Sequence, residues 1–481
     1  MKHKKWLWIG LAFAALYIGV TAWHQLKPLP EGIDYTGDVH MLQEDEAVFL
    51  ADLTYQNEAD EVYEHEIMEE MFRVIDEAER FLIIDMFMVN EFSDESRSFP
   101  ELSREFGDRI EQRMAESPDL KAVFITDPIN TTYFSHEAAH IDRLADAGVE
   151  VIYTNLERLR DPNPIYSSFW RIGFQWFGQR GPAWLPNAFG PSAPDVTLRS
   201  YLKLANIKAN HRKLVMNEEE AVITSANPHD ASGFHSNIGI RVSGSILKEL
   251  VDQERAVAAF SDGDLDAFPT SEELDEWVTI REEGPIQAQL VTEQSIRQAA
   301  LKILERAEQG DTVWLGMFYL SDRYIIEGLH EAADRGVQIQ AVLDPNQNAF
   351  GQEKIGLPNI PVASELVDRE DGLITVRWYD TYEEQYHSKL LYADRGEQVN
   401  ILAGSTNFTE RNLNNYNLEN NISLTAPADS QLAEDVDAYF ERIWNNEDET
   451  FTVAYEEYEG AVTPYLYGLY VLQKSLRFTT Y

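Results

Sequence analysis

Residues 386–394 are YHSKLLYAD and residues 401–407 are ILAGSTN, and these two stretches decide the fold of the chain. The apolar, β-favouring residues of the first stretch predict a strand, on which residues two apart project from the same face. His387 and Lys389 are therefore expected to point the same way. The second apolar run ends in a small polar turn, which is expected to carry its serine and asparagine beside that pair.

A second copy of this pattern lies upstream, where residues 211–218 are HRKLVMNE and residues 221–227 are AVITSAN. Both copies place an acid, Glu218 or Asp394, at the same distance after the histidine, and both end in Ser-x-Asn. A composite of this length that occurs twice indicates one duplicated site. The candidate catalytic residues are His211, Lys213, Ser225, Asn227, His387, Lys389, Ser405 and Asn407.

The composite resembles the signature of the phospholipase D superfamily, His-x-Lys-x4-Asp followed by Gly-Ser-x-Asn and carried twice in one chain. The second copy matches throughout, whereas the first has Glu218 in place of Asp and Thr224 in place of Gly. The resemblance implies a pseudo-twofold active site between two lobes. It also implies that one motif histidine is the nucleophile, to which we assign His211, and that the other, His387, is the general acid.

Two histidines that face one phosphate provide an attacking imidazole and a proton donor, because imidazole titrates near pKa 6.5. They are sufficient for two-step cleavage of a phosphodiester through a phosphohistidine, so neither a metal nor a cofactor is expected. Lys213 and Lys389 are expected to hold the non-bridging oxygens, where charge develops in the transition state. The motif serines and asparagines are expected to orient these oxygens by neutral hydrogen bonds.

Three acids are expected to support the site. Glu218 and Asp394 are interpreted as structural supports of the motif strands. Many members of the superfamily carry an acid downstream of the motif that orients a histidine, and the resemblance gives this role to Glu419. The nearest equivalent in the first half is His235, which leaves the role open there.

An internal repeat predicts the fold class. Residues 81–88 and 313–320 are each predicted to be a buried strand, followed by a helical pattern and a strand that ends in Asp-Pro, at Asp127 and at Asp344. This order predicts an α/β fold of two similar lobes, each a mixed sheet flanked by helices, joined pseudo-symmetrically with the active site between them. The predicted parts are a membrane anchor or signal segment at 1–30, a first lobe at 31–262 with an aromatic insertion at 160–198, a linker at 263–285, a second lobe at 286–460 and an apolar tail at 461–481.

The N-terminus is predicted to be a transmembrane anchor. Lys2, Lys4 and Lys5 precede an uncharged apolar run over residues 6–23, about the length that crosses a bilayer as a helix. With the lysines inside, the rest of the chain lies on the extracytoplasmic side. Residues 20–22, VTA, also fit a cleavage site, so a removed signal peptide and a secreted protein are the alternative.

The insertion lengthens the first half, whose segment from Asp127 to His211 is about twice as long as its counterpart in the second half. Aromatic rings and arginines in a loop rich in Gly and Pro suit a membrane interface or a lipid-binding mouth. The alternative is that the rings fill the core beneath a long loop. The residues concerned are Trp170, Phe174, Trp176, Phe177 and Trp184.

The net charge indicates which class of substrate the protein binds. The chain has 481 residues, with 83 acids against 39 bases and a formal charge of −44. A surface this negative disfavours general affinity for nucleic acid and favours a phospholipid substrate at a membrane. There is no cysteine, so disulfides and cysteine chemistry are excluded.

A second motif competes with the first. Residues 136–140, HEAAH, fit the His-Glu-x-x-His pattern of zinc proteases, in which His136 and His140 bind zinc from one face of a helix. The residues predict a helix that ends near 147–148. Glu157 is a conceivable third ligand.

We predict a membrane-anchored phospholipase D-type phosphodiesterase that acts on phospholipid headgroups. A cardiolipin-synthase-like phosphatidyltransferase and a nuclease are alternatives with the same chemistry. A non-catalytic lipid-binding protein and a zinc protease are alternatives of another class.

Overall fold

The computed structural model describes residues 2–57, 60–93, 97–349, 352–477, 479 and 481. The strands are β1 His40–Leu42, β2 Ala47–Gln56, β3 Glu61–Glu64, β4 Phe81–Met86, β5 Lys121–Thr126, β6 Glu150–Tyr153, β7 Lys213–Met216, β8 Glu220–Thr224, β9 Asn237–Ser243, β10 Ile286–Thr292, β11 Thr312–Met317, β12 Gln338–Leu343, β13 Asn348–Ala349, β14 Gln352–Glu353, β15 Ile374–Tyr379, β16 Lys389–Asp394, β17 Gln398–Gly404, β18 Asn420–Pro427 and β19 Thr452–Ala454. The helices are α1 Lys2–Leu26, α2 Ile67–Glu77, α3 Leu102–Glu116, α4 Ala139–Asp146, α5 Pro164–Gly173, α6 Leu198–Leu204, α7 Ile246–Phe260, α8 Ser271–Trp277, α9 Glu293–Arg306, α10 Arg323–Asp334, α11 Asn359–Val367, α12 Glu410–Leu413, α13 Gln431–Asn445, α14 Glu456–Glu459 and α15 Pro464–Leu476.

Two large sheets repeat one topology. The sheet of the first lobe has the order β3-β2-β9-β8-β7-β4-β5-β6, and the sheet of the second lobe has the order β1-β10-β18-β17-β16-β11-β12-β15-β19. In each sheet three neighbouring strands are parallel, β4-β5-β6 and β11-β12-β15, and the motif strand is antiparallel to the first of them. The predicted α/β fold of two similar lobes with mixed sheets is confirmed.

The two sheets face each other across a shared core. One continuous apolar cluster includes Ile223 and Ile240 of the first sheet together with Ile401 and Leu424 of the second. Helices α7 and α13 lie in this layer and contribute one apolar face each to the same cluster. Separate clusters on the outer face of each sheet are covered by α2 and α3 in one lobe and by α9 and α10 in the other. Burial of apolar surface therefore holds the lobes together.

The chain crosses between lobes near its start. Strand β1 pairs with β10, so residues 40–42, which lie inside the segment predicted as the first lobe, extend the sheet of the second lobe. The predicted linker contains the short helix α8, whose N-terminus is closed by a capping box of Thr270 and Glu273. Glu273 also pairs with Lys121 of β5 at 2.6 Å, so the predicted linker contacts the first lobe while β1 joins the second.

Helix α1 is long and apolar enough to cross a membrane, and its apolar side chains are exposed. Its C-terminal half packs against α5, where Tyr17 donates to the carbonyl of Ile165 and the hydroxyls of Thr21 and Ser168 are 2.7 Å apart. The aromatic insertion therefore begins directly beside the apolar N-terminal helix.

Candidate active site

The two motif histidines are placed by reciprocal backbone pairing between the lobes. The N–H of His211 donates to the carbonyl of Leu418 at 2.8 Å, and the N–H of His387 donates to the carbonyl of Ser236 at 2.8 Å. Each motif strand thus starts on a segment of the opposite lobe. The two histidines are 176 residues apart in the sequence, and this exchange brings them into one site.

Both histidines line one cavity of about 190 Å³, together with Asn227 and Asn407. Edge-on aromatic rings support the imidazoles, with centroids 4.9 Å apart for Phe87 and His211 and 5.0 Å apart for Phe318 and His387. The other walls are largely apolar and come mainly from the first lobe, for example Met88, Ile129, Phe189 and Leu204. An apolar cavity with a few convergent polar groups is typical of a small-molecule site.

The two histidines have different partners. Nδ1 of His211 lies 3.0 Å from Oε2 of Glu419 of the second lobe, and Nδ1 of His387 lies 3.1 Å from Oδ1 of Asn237 of the first lobe. Both oxygens favour a proton on Nδ1, which leaves Nε2 of each ring for chemistry. Burial lowers the pKa of His211 to about 4, although the Glu419 carboxylate opposes this shift. Burial also holds the pKa of His387 well below its usual range, and here the nearby Lys389 adds to the shift.

The motif lysines are buried. Nζ of Lys213 donates to the carbonyl of His211 at 2.9 Å, and Nζ of Lys389 donates to the carbonyl of His387 at 2.8 Å. Burial lowers the pKa of Lys213 to about 7 and that of Lys389 well below its usual range. Within the described parts of the chain neither lysine forms an ion pair with a carboxylate.

The motif serines differ from the expectation. Ser405 donates to Oε2 of Glu419 at 2.6 Å, and Ser225 donates to Oδ1 of Asn237 at 3.1 Å. A hydroxyl has one proton, so each serine holds the partner of a histidine rather than a phosphate oxygen. The motif asparagines, in contrast, line the cavity, and each has a buried amide oxygen without a hydrogen-bond donor among the described residues.

Comparison with known proteins agrees with this geometry. Residues 301–444 match the family described as cardiolipin synthase, phospholipase D-like domain. This matched segment contains the second His-x-Lys motif, so the second lobe is similar to the phospholipase D-like family. The same two-lobe fold is found in phosphatidylserine synthase from Haemophilus influenzae Rd KW20, with a TM-score of 0.58 and 11% identity over 95% of this chain and 98% of that chain. This phospholipase D-like chain is accordingly an enzyme of the phosphodiesterase or phosphatidyltransferase class.

Two further solved structures are similar at lower scores. Polyphosphate kinase from Porphyromonas gingivalis has a TM-score of 0.44 at 12% identity, over 94% of this chain and 58% of that chain. The phospholipase D family member Nuc from Salmonella typhimurium has a TM-score of 0.26 at 20% identity, over 33% of this chain and 95% of that chain. No curated protein sequence matches the chain.

The first-half counterpart of Glu419 is Asn237, not His235. Asn237 directly follows the residue that pairs with His387, as Glu419 follows the residue that pairs with His211. His235 instead corresponds to Asn417. Nδ1 of His235 accepts the N–H of Gln385 at 3.2 Å, so the ring proton of neutral His235 is on Nε2, and the ring lines the cavity.

The other two acids lie where they support strands. Glu218 accepts the backbone N–H groups of residues 79–81 at 2.8 to 3.3 Å, at the start of the buried strand β4. Asp394 accepts the N–H of Gly396 at 2.9 Å in the turn after β16. Neither carboxylate lines the cavity.

Two acids that position the motif histidines were not identified as such from the sequence. Asp127 accepts the N–H of Asn210 at 2.7 Å, and Asp344 accepts the N–H of Tyr386 at 2.7 Å, so each fixes the residue before a motif histidine. Burial raises the pKa of both carboxyls to about 7. The repeated Asp-Pro at the end of the equivalent strands is the signal that points to them.

The insertion presents aromatic rings on two sides. Trp176, Phe177 and Trp184 are 75%, 58% and 65% exposed, and Phe174 is half-buried. Trp170 is 3% exposed and turns inward, so it does not belong to the exposed set. The insertion therefore combines both alternatives, a ring that fills the interior and rings that face outward.

The His-Glu-x-x-His segment does not form the zinc-protease geometry. Helix α4 begins at Ala139, so His136 precedes it, and the two histidines do not share one helix face. His136 instead lies 3.0 Å from the hydroxyl of Thr132, and Nε2 of His140 lies against the carbonyl of Val89. Among the residues that the structure covers, no group of three His, Cys, Asp or Glu side chains could hold a metal.

Proposed function

We propose that the chain is a membrane-anchored phospholipase D-type enzyme that cleaves or exchanges phospholipid headgroups through a phosphohistidine. The observation that carries the proposal is that His211 and His387, one from each lobe, line one cavity. The apolar walls support a substrate with apolar chains, because such contacts remove apolar surface from water. The formal charge of −44 disfavours the nuclease alternative, which requires attraction of a polyanion.

The two histidines supply a balanced pair of steps. Nε2 of His211 attacks phosphorus and forms a P–N bond while the bond from phosphorus to the headgroup oxygen breaks, and protonated His387 gives its proton to that oxygen. The negative phosphate favours protonated His387 and opposes the effect of burial on its pKa. Neutral His387 then takes a proton from water or an alcohol, whose oxygen attacks phosphorus and releases His211.

The partners of the rings support this order of roles. A phosphorylated imidazole that keeps its proton on Nδ1 is positively charged, and the carboxylate of Glu419 stabilises this charge. The amide of Asn237 stabilises a charged His387 less, so protonated His387 is the stronger acid. This difference supports His211 as nucleophile and His387 as proton donor.

The motif lysines and asparagines hold the phosphate. The negative phosphate favours the charged form of Lys213 and Lys389 and opposes the effect of burial on their pKa. Their positive charge then acts more strongly on the equatorial oxygens in a dry interior than it would in water. Asn227 and Asn407 line the cavity and offer neutral hydrogen bonds to the same oxygens.

The proposed anchor holds the cavity at the lipid surface. Tyr17 of α1 contacts α5, so part of the aromatic insertion lies level with a residue inside the candidate span. Exposed Trp176 and Trp184 suit the headgroup region, where amphipathic rings settle. With the N-terminal lysines in the cytoplasm, the catalytic lobes lie on the extracytoplasmic side.

The test is turnover of labelled phosphatidylglycerol by the full chain in detergent and EDTA. Water as acceptor gives phosphatidic acid, and a lipid alcohol as acceptor gives a two-lipid product. Transfer is the second candidate, because the matching family is named for cardiolipin synthase and the similar solved structure from H. influenzae is a phosphatidylserine synthase. Absence of both products in the wild type would support a non-catalytic lipid-binding protein.

A substrate whose leaving group requires no proton distinguishes the nucleophile from the proton donor. With a p-nitrophenyl phosphodiester, whose leaving group requires no proton, His387→Ala should still form the acid-labile phosphohistidine, whereas His211→Ala should not. His330→Ala, which changes a histidine on α10 away from the cavity, is the matched control. Labelling of His211→Ala but not of His387→Ala would reverse the two roles.

A further inference from the structure

Arg411 is a buried cation that the proposed two-histidine mechanism does not use. Its side chain is 6% exposed and lines the catalytic cavity. The guanidinium donates to the carbonyls of Ile207 and Thr479, and its Nε has no hydrogen-bond partner among the described residues. In the same described ranges, no carboxylate is within ion-pair distance of Arg411.

This arrangement differs from that of four other buried cations. Arg171, Arg212, Arg297 and Lys208 each form an ion pair with at least one buried carboxylate. Burial of a cation without such a partner is unfavourable, and burial lowers the pKa of Arg411 to about 10. Arg411 shares this state with the two motif lysines, whose expected ligand is a phosphate, and with Lys27, which does not line the cavity.

Arg411 also breaks the pseudo-twofold symmetry of the cavity. It lies four residues after Asn407, and the residue four after Asn227 is Ala231. Both Arg411 and Ala231 line the cavity. The attack on one phosphate described above uses no group at either of these positions, so it leaves the charge of Arg411 without a role.

More positive charge leads from Arg411 to the surface. Arg411 also lines a small adjoining depression, with Lys474 and Arg477 of the C-terminal segment. Nζ of Lys474 donates to the carbonyl of Ser321 at 2.8 Å, and Arg477 pairs with Glu410 at 2.9 Å. Arg411, Lys474 and Arg477 thus line this depression together with the carboxylate of Glu410, on a chain that is acidic overall.

We propose that Arg411 forms a second phosphate site in the catalytic cavity, for a substrate that presents another phosphate beside the one attacked by histidine. The second phosphate comes either from a donor lipid with a diphosphate headgroup or from the acceptor, as the phosphate of a second phospholipid. This inference rests on the proposed function and adds a substrate class to it.

Binding of small anions to the full chain in detergent tests the site. Orthophosphate, pyrophosphate and propane-1,3-diyl bisphosphate are the probes, and calorimetry gives their affinities. One of the two diphosphates should bind the wild type about tenfold or more tightly than orthophosphate, and Arg411→Gln should abolish this preference. Arg411→Lys should restore part of it, and Arg323→Gln, which removes an exposed arginine paired with Glu365, should leave it unchanged.

The failures of the two proposals are distinguishable. Equal weakening of orthophosphate and both diphosphates in Arg411→Gln, or no change in any of them, overturns the second site. Orthophosphate binding that is insensitive to Lys213→Gln counts instead against the proposed function. Thermal unfolding of each variant separates loss of binding from loss of fold.

Kinetics identify the source of the second phosphate. If it belongs to the donor, Arg411→Gln should raise KM for a lipid with a diphosphate headgroup and leave KM for phosphatidylglycerol as acceptor unchanged. If it belongs to the acceptor, the reverse should hold. Unchanged KM for both substrates would contradict the inference.

Discussion

At the scale of residues, the site is symmetric in backbone and asymmetric in charge. Glu419 and Asn237 occupy equivalent positions and contact the histidine of the opposite lobe at 3.0 and 3.1 Å. Each is held in turn by the serine of its own motif. In the proposed mechanism, one carboxylate and one amide at equivalent positions prepare two chemically identical rings for different roles.

Replacement of Glu419 by Gln should reduce kcat by about tenfold or more, because the charged phosphohistidine loses a charge-assisted hydrogen bond. Rapid-quench measurement of the lifetime and amount of the phosphohistidine, beside steady-state kcat, checks this expectation. Asn237→Asp is the matched variant and should weaken proton donation by stabilising charged His387. A kcat for Glu419→Gln within twofold of the wild type would contradict the role of the carboxylate.

The low pKa of His211, about 4, predicts an unusual pH dependence. A nucleophile with the ordinary pKa of 6.5 would be about 90% protonated at pH 5.5 and would lose about tenfold in rate. His211 is still neutral there, so the burst of p-nitrophenol from an activated phosphodiester should not fall from pH 7.5 to 5.5. A tenfold fall over that range, with the fold intact by circular dichroism, would exclude a pKa this low.

At the scale of elements, the departures of the first motif have a packing reason. Gly404 ends β17 with φ +154°, and a Cβ there would lie 2.3 Å from the carbonyl oxygen of Asn420. In the first lobe the equivalent Thr224 pairs with Gly239 of β9, and its hydroxyl donates to the carbonyl of Ile238 at 2.7 Å. In the second lobe the glycine ends the motif strand β17, whereas in the first lobe it lies on the neighbouring strand β9. The first motif therefore has room for a threonine at the position where the second requires glycine.

Gly404→Thr should therefore destabilise the protein by about 1–3 kcal/mol and lower activity, since the new side chain strains the backbone beside Glu419. Thr224→Gly is the matched exchange in the other lobe and should cost less, because it introduces no clash. Urea unfolding and kcat of both variants provide the measurement. Equal effects of the two exchanges would contradict this packing explanation.

At the scale of the whole molecule, the cavity lined by His211 and His387 lies near the elements expected to meet the membrane. Lys208 lines the cavity and pairs with Asp161 at 2.9 Å, and the N–H of Asp161 donates to the carbonyl of His24 at the end of α1. A short path of contacts thus joins the cavity to the apolar N-terminal helix. Helix α15 adds exposed Tyr465 and Leu472 to the outer surface.

Combined replacement of Trp176, Phe177 and Trp184 by Ser should lower kcat/KM on phosphatidylglycerol vesicles by about tenfold or more, because apolar rings no longer enter the lipid. Turnover of a soluble short-chain substrate should stay the same, since these side chains do not line the cavity. Tyr324→Ser, which removes an exposed ring on α10, is the control. Equal losses on both substrates would contradict an interfacial role.

Much of the fold was predictable because strands and repeats leave local patterns. The buried strands β4 and β11 appear as apolar runs, and the two His-x-Lys composites identify the paired motifs. The partner of His387 was not predictable by position alone, because the spacing between Asn227 and Asn237 differs from that between Asn407 and Glu419. The unequal loops hide the equivalence of Asn237 and Glu419.

The sequence by itself determined the two-lobe α/β class, the motif residues and the apolar N-terminal helix, since each depends on composition or short-range periodicity. Only the tertiary structure decided that each histidine is oriented from the opposite lobe, that the serines hold those orienting groups and that Trp170 turns inward. These contacts join residues up to 208 positions apart. Their physical cause is the shared apolar core, which fixes how the two sheets meet. Contacts between the lobes produce no short-range pattern in the sequence, so they could not be predicted from it.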